Sequence, residues 1–174
     1  MLNLVARAAP RGAVLLVAID GRGGSGKSSL ATALARARDD VQVVHLDDFY
    51  LAPWGELDWQ TVRESVLEPL LAGRPVAHRR FDWWANGPAE WHHIEPHGVV
   101  VVEGVFALRP ELRDLYDVKA WVETPFEVCL ARGLARDGED ARGLWLAWAE
   151  RENRFIEAER PHELADLIVF DSQA

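Results

Sequence analysis

The chain has 174 residues, 28 of them acidic and 19 basic, for a formal net charge of −9. That length suits one domain of residues 1–174 with its own core, and the acidic balance argues against a protein built to grip nucleic acid, which requires clustered Lys and Arg. Cys129 is the only cysteine, so a disulfide framework is excluded and a reducing, cytoplasmic setting is expected.

The first predicted element is a strand over 14–19, an apolar run far too short to span a bilayer, so no membrane partner is expected. It leads into Gly21-Arg22-Gly23-Gly24-Ser25-Gly26-Lys27-Ser28, which fits G-x-x-x-x-G-K-[ST], and then into an alanine-rich helix over 28–38. Strand, glycine loop, lysine, hydroxyl and helix in that order define a phosphate cradle. Glycines let successive N–H groups turn toward phosphate oxygens, the helix N-terminus adds partial positive charge, and Lys27 adds a full one. Ser28 offers a hydroxyl to Mg²⁺, with Ser29 beside it. The chain is therefore read as binding a nucleoside triphosphate.

A second strand over 41–46 ends at Asp47-Asp48-Phe49-Tyr50, and Val62, Val66, Leu67, Leu70 and Leu71 mark a helical face ending near Gly73. Trp54, Trp59, Trp83, Trp84 and Trp91 fall between residues 50 and 93. Their ordinary role is to cover core or hold loops, and the sharper alternative is a stacking surface for a planar substrate. His92, His93 and His97, with Glu95 between, match no strong metal-ligand spacing and are read as structural or exposed residues on a loop.

A third strand over 99–103 carries four valines directly into Glu103, a carboxylate too costly to bury without a cation. A fourth runs over 118–123. Thr124-Pro125-Phe126-Glu127 reads as a capping box with proline at the first helical position, starting a helix to about Asp137. Arg132 and Arg136 lie one turn apart on it, and with Arg142 they suit a cationic lid over 132–145; the alternative is a solvated face paired with Asp137, Glu139 and Asp140. A helix over 142–158 and a strand over 166–170 complete the pattern.

Strands alternating with helices indicate an α/β fold with a parallel sheet whose ligand lies beyond the carboxyl ends of the strands. Three strand ends then present phosphate-binding and carboxylate groups together. Phosphoryl transfer needs phosphates neutralised, Mg²⁺ held and an attacking hydroxyl oriented. Lys27 and the loop amides suit the first role, Ser28 and Glu103 the second, and Asp47 the third, with a secondary place near Mg²⁺. Capping or solvation is the alternative for Asp47 and Asp48.

These residues resemble the uridine kinase and phosphoribulokinase group of P-loop kinases, which includes nicotinamide riboside kinases. The resemblance runs over nearly the whole chain, through Gly21 to Ser28, Asp47 to Tyr50, Asp58-Trp59, Phe81-Asp82-Trp83, Val102-Glu103-Gly104, Arg132 to Asp137, and Ala165 to Val169. It implies a three-layer α/β/α fold with a five-stranded parallel sheet in the order 2-3-1-4-5 and a small helical lid. It also implies ATP- and Mg²⁺-dependent transfer to a hydroxyl with Asp47 as base. By the same resemblance Tyr50, Asp58, Phe81 and Trp83 surround the acceptor, and Arg132 and Arg136 contact phosphates. The chain departs from uridine kinases at Asn86, where a histidine would face the pyrimidine, and at Cys129 and Gly133, where arginines are common. The expected function is an ATP-dependent kinase of a small nucleoside- or riboside-like acceptor; a regulatory P-loop NTPase that controls a protein partner is the alternative, and the oligomeric state is left open.

Overall fold

The computed structural model describes residues 1–83 and 85–171, so Trp84 of the predicted tryptophan cluster lies outside the described residues. In chain order the elements are α1 (Leu2–Arg7), β1 (Leu15–Gly21), α2 (Lys27–Ala37), β2 (Val41–His45) and a 3-10 turn (Leu46–Phe49). A composite helix follows, α3 (Trp59–Thr61) passing through a π-helical turn (Val62–Leu67) into α4 (Glu68–Leu71). Then come β3 (Val76–Asp82), β4 (Gly87–Ile94), β5 (Val99–Glu103), α5 (Pro110–Arg113) and β6 (Val118–Glu123). The chain closes with α6 (Phe126–Asp137), a 3-10 turn (Glu139–Ala141), α7 (Arg142–Glu159), α8 (Pro161–Leu164) and β7 (Leu167–Phe170).

The main sheet has the order β2-β5-β1-β6-β7 with every pairing parallel. Counted among these five strands alone, that is the expected 2-3-1-4-5. All seven residues of β1 are buried, as a central strand covered on both faces requires. Period-two alternation sorts its side chains: Leu16 and Ala18 join the core containing Val62, Leu67, Leu70, Leu112 and Trp148, whereas Leu15, Val17 and Ile19 join the core with Val5, Ala31 and Leu34.

Two local expectations are corrected. The stretch read as a loop ahead of the third parallel strand is β4, paired antiparallel with β3 in a separate two-stranded sheet. Asn86 sits in its turn, exposed and with φ +50°, a conformation that favours asparagine. At residue 124 the capping box does not form. Pro125 is the N-cap of α6, without a side-chain cap bond, because the Thr124 hydroxyl donates instead to the Ser25 carbonyl at 2.9 Å.

Candidate active site

Parallel register aligns the strand ends. Glu103 is the Cα partner of both Ile19 on β1 and His45 on β2, which sets the glycine loop, Glu103 and the Asp47-bearing turn side by side. Gly24 has φ +78°, and a Cβ there would meet the Cys129 carbonyl oxygen at 2.5 Å, so this loop position admits glycine alone. Gly26, with φ +98°, is the N-cap of α2. The loop and α2 line a cavity of about 660 Å³ that also reaches Arg132, Arg136 and Phe170. Ser29 faces this cavity, and Ser25 is buried with its hydroxyl unpartnered.

Lys27 is buried, and its ammonium donates to the carbonyls of Gly21 at 3.0 Å and Arg22 at 2.7 Å. The Ser28 hydroxyl donates to Glu103 Oε1 at 2.9 Å, and His45 Nδ1 lies 2.6 Å from the same oxygen. Burial alone would raise the Glu103 carboxyl, but the His45 hydrogen bond, the Lys27 charge and the Ser28 hydroxyl together hold it below its ordinary value. A hydroxyl and an ionised carboxylate meeting beside a phosphate cradle are a fitting donor set for Mg²⁺, which would supply neutralising charge to a bound triphosphate.

Asp47 opens to solvent at the cleft, yet the protein around it displaces enough water to raise its carboxyl, and the Glu103 charge pushes the same way against Lys27, Arg136 and His45. Trp83 Nε1 donates to the Asp47 carbonyl at 3.0 Å, and the Phe81 N–H donates to Asp48 at 3.3 Å. The hairpin is thereby tied to the turn. Tyr50 packs against Trp83 and Trp148 at ring-centroid distances of 5.5 and 5.6 Å. Asp58 stands next to this group through its N–H to the Phe49 carbonyl at 2.8 Å, while its carboxylate caps α3 on Thr61.

Arg132 pairs with Asp171 at 2.7 Å and Arg136 with Asp137 at 2.7 Å, both on the cavity wall. Arg142 pairs with Glu139 on the exposed surface. Gly133 is explained by Trp145, whose indole occupies the space a Cβ would need. Of the described tryptophans in this set, Trp54, Trp59 and Trp83 pack on the core while Trp91 is exposed, so covering the core is the role of most of them.

Sequence reasoning missed Glu152. Its buried Oε1 accepts from the Gly23 N–H and from Trp148 Nε1, each at 2.7 Å, and Oε2 lies 3.5 Å from Arg22. Burial raises this carboxyl despite those donors. The available signal was the helical spacing of Trp145, Trp148 and Glu152, which shares one face of α7. Asp171 was findable by the strand-end rule, since it directly follows β7.

A parallel five-stranded sheet in this order, with the glycine loop after its central strand and carboxylates on the neighbouring strand ends, defines a P-loop kinase. The sequence profile of the phosphoribulokinase / uridine kinase family matches residues 54–162, and the chain belongs to that family. It is accordingly an ATP-dependent kinase that phosphorylates a hydroxyl group. A uridine kinase of Staphylococcus epidermidis (strain ATCC 35984) is 27% identical, covering 88% of this chain and 86% of that protein. One from Schizosaccharomyces pombe is 29% identical over 90% of this chain, which spans 40% of the yeast protein. The structure of a "possible uridine kinase" from Bacillus stearothermophilus superposes with a TM-score of 0.75 at 20% identity, covering 96% of this chain and 94% of that one. Among the described residues, no helix is long and apolar enough to cross a membrane.

Proposed function

We propose that this chain transfers the γ-phosphoryl group of ATP, with Mg²⁺, to a hydroxyl of a nucleoside- or riboside-like small molecule. The observation carrying this reading is the convergence of Asp47, Glu103 and the glycine loop on one rim, with Tyr50, Phe81 and Trp83 tied to the same turn. In this reading Lys27, the amides of Gly24 to Ser29, Arg132 and Arg136 hold the triphosphate. Ser28 and Glu103 hold the ion. Asp47 orients the acceptor hydroxyl and takes its proton, a task that suits a carboxyl raised by desolvation and by a like charge. Asp58 bounds the ribose side from the N-terminus of α3.

The regulatory alternative draws on one observation. Trp54 packs edge-on against Trp83, Trp145 and Trp148 at 6.1, 5.5 and 5.9 Å, so rings meet rings on the acceptor side. A coupled ADP-release screen over nucleosides, ribosides, sugars, pantothenate and glycerate separates the two, with Lys27→Ala as blank. Release that rises only with a riboside acceptor is expected, and release indifferent to every acceptor supports the regulatory reading. Asp47→Asn is expected to keep ATP affinity while slowing transfer by roughly two to four orders of magnitude. Lost ATP binding with normal residual chemistry would instead make Asp47 a metal or structural residue.

A further inference from the structure

The β3–β4 hairpin brings together three donors that the chain spreads over 45 positions, from Asp48 to His92. His78 and His92 are directly opposed Cα partners in the antiparallel register, so their side chains leave the same face of the hairpin. The two rings meet edge to face with centroids 5.5 Å apart. From below, the 3-10 turn presents Asp48, whose Oδ2 is 3.2 Å from His78 Nε2 and 3.8 Å from His92 Nδ1. The three ligand atoms all lie within 4.8 Å of one another.

As a hydrogen-bond network this trio is incomplete. His78 is buried, its Nε2 is within hydrogen-bonding distance of Asp48 Oδ2, and its Nδ1, the nitrogen turned away from Asp48, has no partner. His92 points Nδ1 at Asp48 from 3.8 Å and Nε2 at Glu90 from 3.7 Å, both beyond hydrogen-bonding distance. As a ligand set the spacing is natural. Ions held tetrahedrally at about 2.0–2.1 Å separate their ligand atoms by roughly 3.3 Å, close to the separations from Asp48.

We propose that Asp48, His78 and His92 form a binding site for a divalent transition metal of the Zn²⁺ class, with water as fourth ligand on the open side of His92. Two imidazoles and one carboxylate select such an ion over Mg²⁺, which prefers oxygen ligands. One ligand is held from behind: Asp48 Oδ1 accepts from the Phe81 N–H at 3.3 Å. The ion would clamp the hairpin to the turn that bears Asp47. It is independent of the acceptor's identity and separate from the ion beside Ser28 and Glu103.

The test uses the full, untagged, nucleotide-free protein after dialysis against a chelator. Co²⁺ is added first, for its visible spectrum, and Zn²⁺ is then measured by competition with a chromophoric chelator. One equivalent is expected to bind at about 10 µM protein with a tetrahedral or five-coordinate Co²⁺ spectrum. Affinity should fall at least about tenfold in His92→Ala and in Asp48→Asn, and stay unchanged in Glu103→Gln. His92 is on the accessible side of the hairpin, so its variant tests the site even where His78→Ala does not fold. Zn²⁺ should also raise the melting temperature of the wild type but not of His92→Ala. Equal affinity in wild type and His92→Ala, an octahedral Co²⁺ spectrum lost with Glu103→Gln, or no stoichiometric binding would overturn the proposal and leave a hydrogen-bonded pin.

Discussion

Gly133→Ala sets two effects of opposite sign against each other. Gly133 lies inside α6, where alanine is favoured over glycine by about 1 kcal/mol. The structure opposes that gain. A Cβ at 133 would stand 2.4 Å from Cε2 and Cζ2 of Trp145 and 2.7 Å from Cη2. The indole cannot retreat freely, because its far edge abuts Gly23, where a Cβ would meet Cζ3 at 3.0 Å, and its Nε1 donates to Asp137 at 3.0 Å. Overpacking costs about 1–3 kcal/mol, and a displaced indole loses a hydrogen bond worth about 1 kcal/mol. The net expectation is a destabilisation of about 1–3 kcal/mol, read as a lower urea midpoint at constant slope. In a Trp145→Leu background the obstruction is gone, and the same substitution should stabilise by about 1 kcal/mol. Stabilisation of the wild type by Gly133→Ala would refute the reasoning, as would the same sign in both backgrounds.

Glu152→Ala strips the acceptor from the Gly23 N–H and from Trp148 Nε1; at about 1–3 kcal/mol for each buried donor left unpaired, unfolding should become at least about 2 kcal/mol easier. Glu152→Gln keeps that oxygen and should recover most of the loss, so equal urea midpoints for the two variants would count against this account. A pH series tests Asp20, which burial pushes up to about 6 from 3.8 even though Gly21, Phe106 and Leu108 N–H groups donate to it. The neutral form is favoured in the fold, so this contribution to stability is full below about pH 4 and is lost as pH rises through about 6, by up to about 3 kcal/mol. The wild-type stability minus that of Asp20→Asn should therefore decline across that window; a flat difference would mean that the three N–H donors outweigh desolvation.

What was legible in the sequence shared one property: its cause is local. The glycine loop, the valine run into Glu103 and the helix face of Val62, Val66, Leu67 and Leu70 are each fixed by neighbours within a few positions, and all fall where expected. The π-helical turn over Val62–Leu67 left no trace in that pattern, because it adds a residue while keeping the same apolar side chains buried. The hairpin was missed for a different reason. Its buried face carries Val76 and His78, and the rest of Val76–Asp82 is polar or partly exposed, so alternation survives but hydrophobic contrast does not. At Thr124 the local pattern was present and lost to a longer-range partner, the Ser25 carbonyl. Helical spacing groups Glu152 with Trp145 and Trp148, but its partner Gly23 lies 129 positions away, where no spacing rule reaches.

The aromatic side chains link the turn that carries Asp47 to the glycine loop. Tyr50 directly follows the turn that carries Asp47, Trp83 directly follows β3 in the connection to β4, Trp54 lies on the loop between that turn and α3, and Trp145 and Trp148 come from α7. Their rings touch in sequence, Tyr50 to Trp83 and Trp148, then Trp54 to Trp83, Trp148 and Trp145. Trp145 in turn bears on Gly23 of the phosphate loop, and Trp148 holds the Glu152 carboxylate that bonds the same glycine. Arg151 fastens α7 to the Trp54 and Gly55 carbonyls at 2.8 and 2.9 Å. Under the proposed function, an acceptor entering beside Tyr50 would bear on rings that also support the loop. Because packed side chains resist continuous deformation, the turn that carries Asp47 and the glycine loop are mechanically linked through α7.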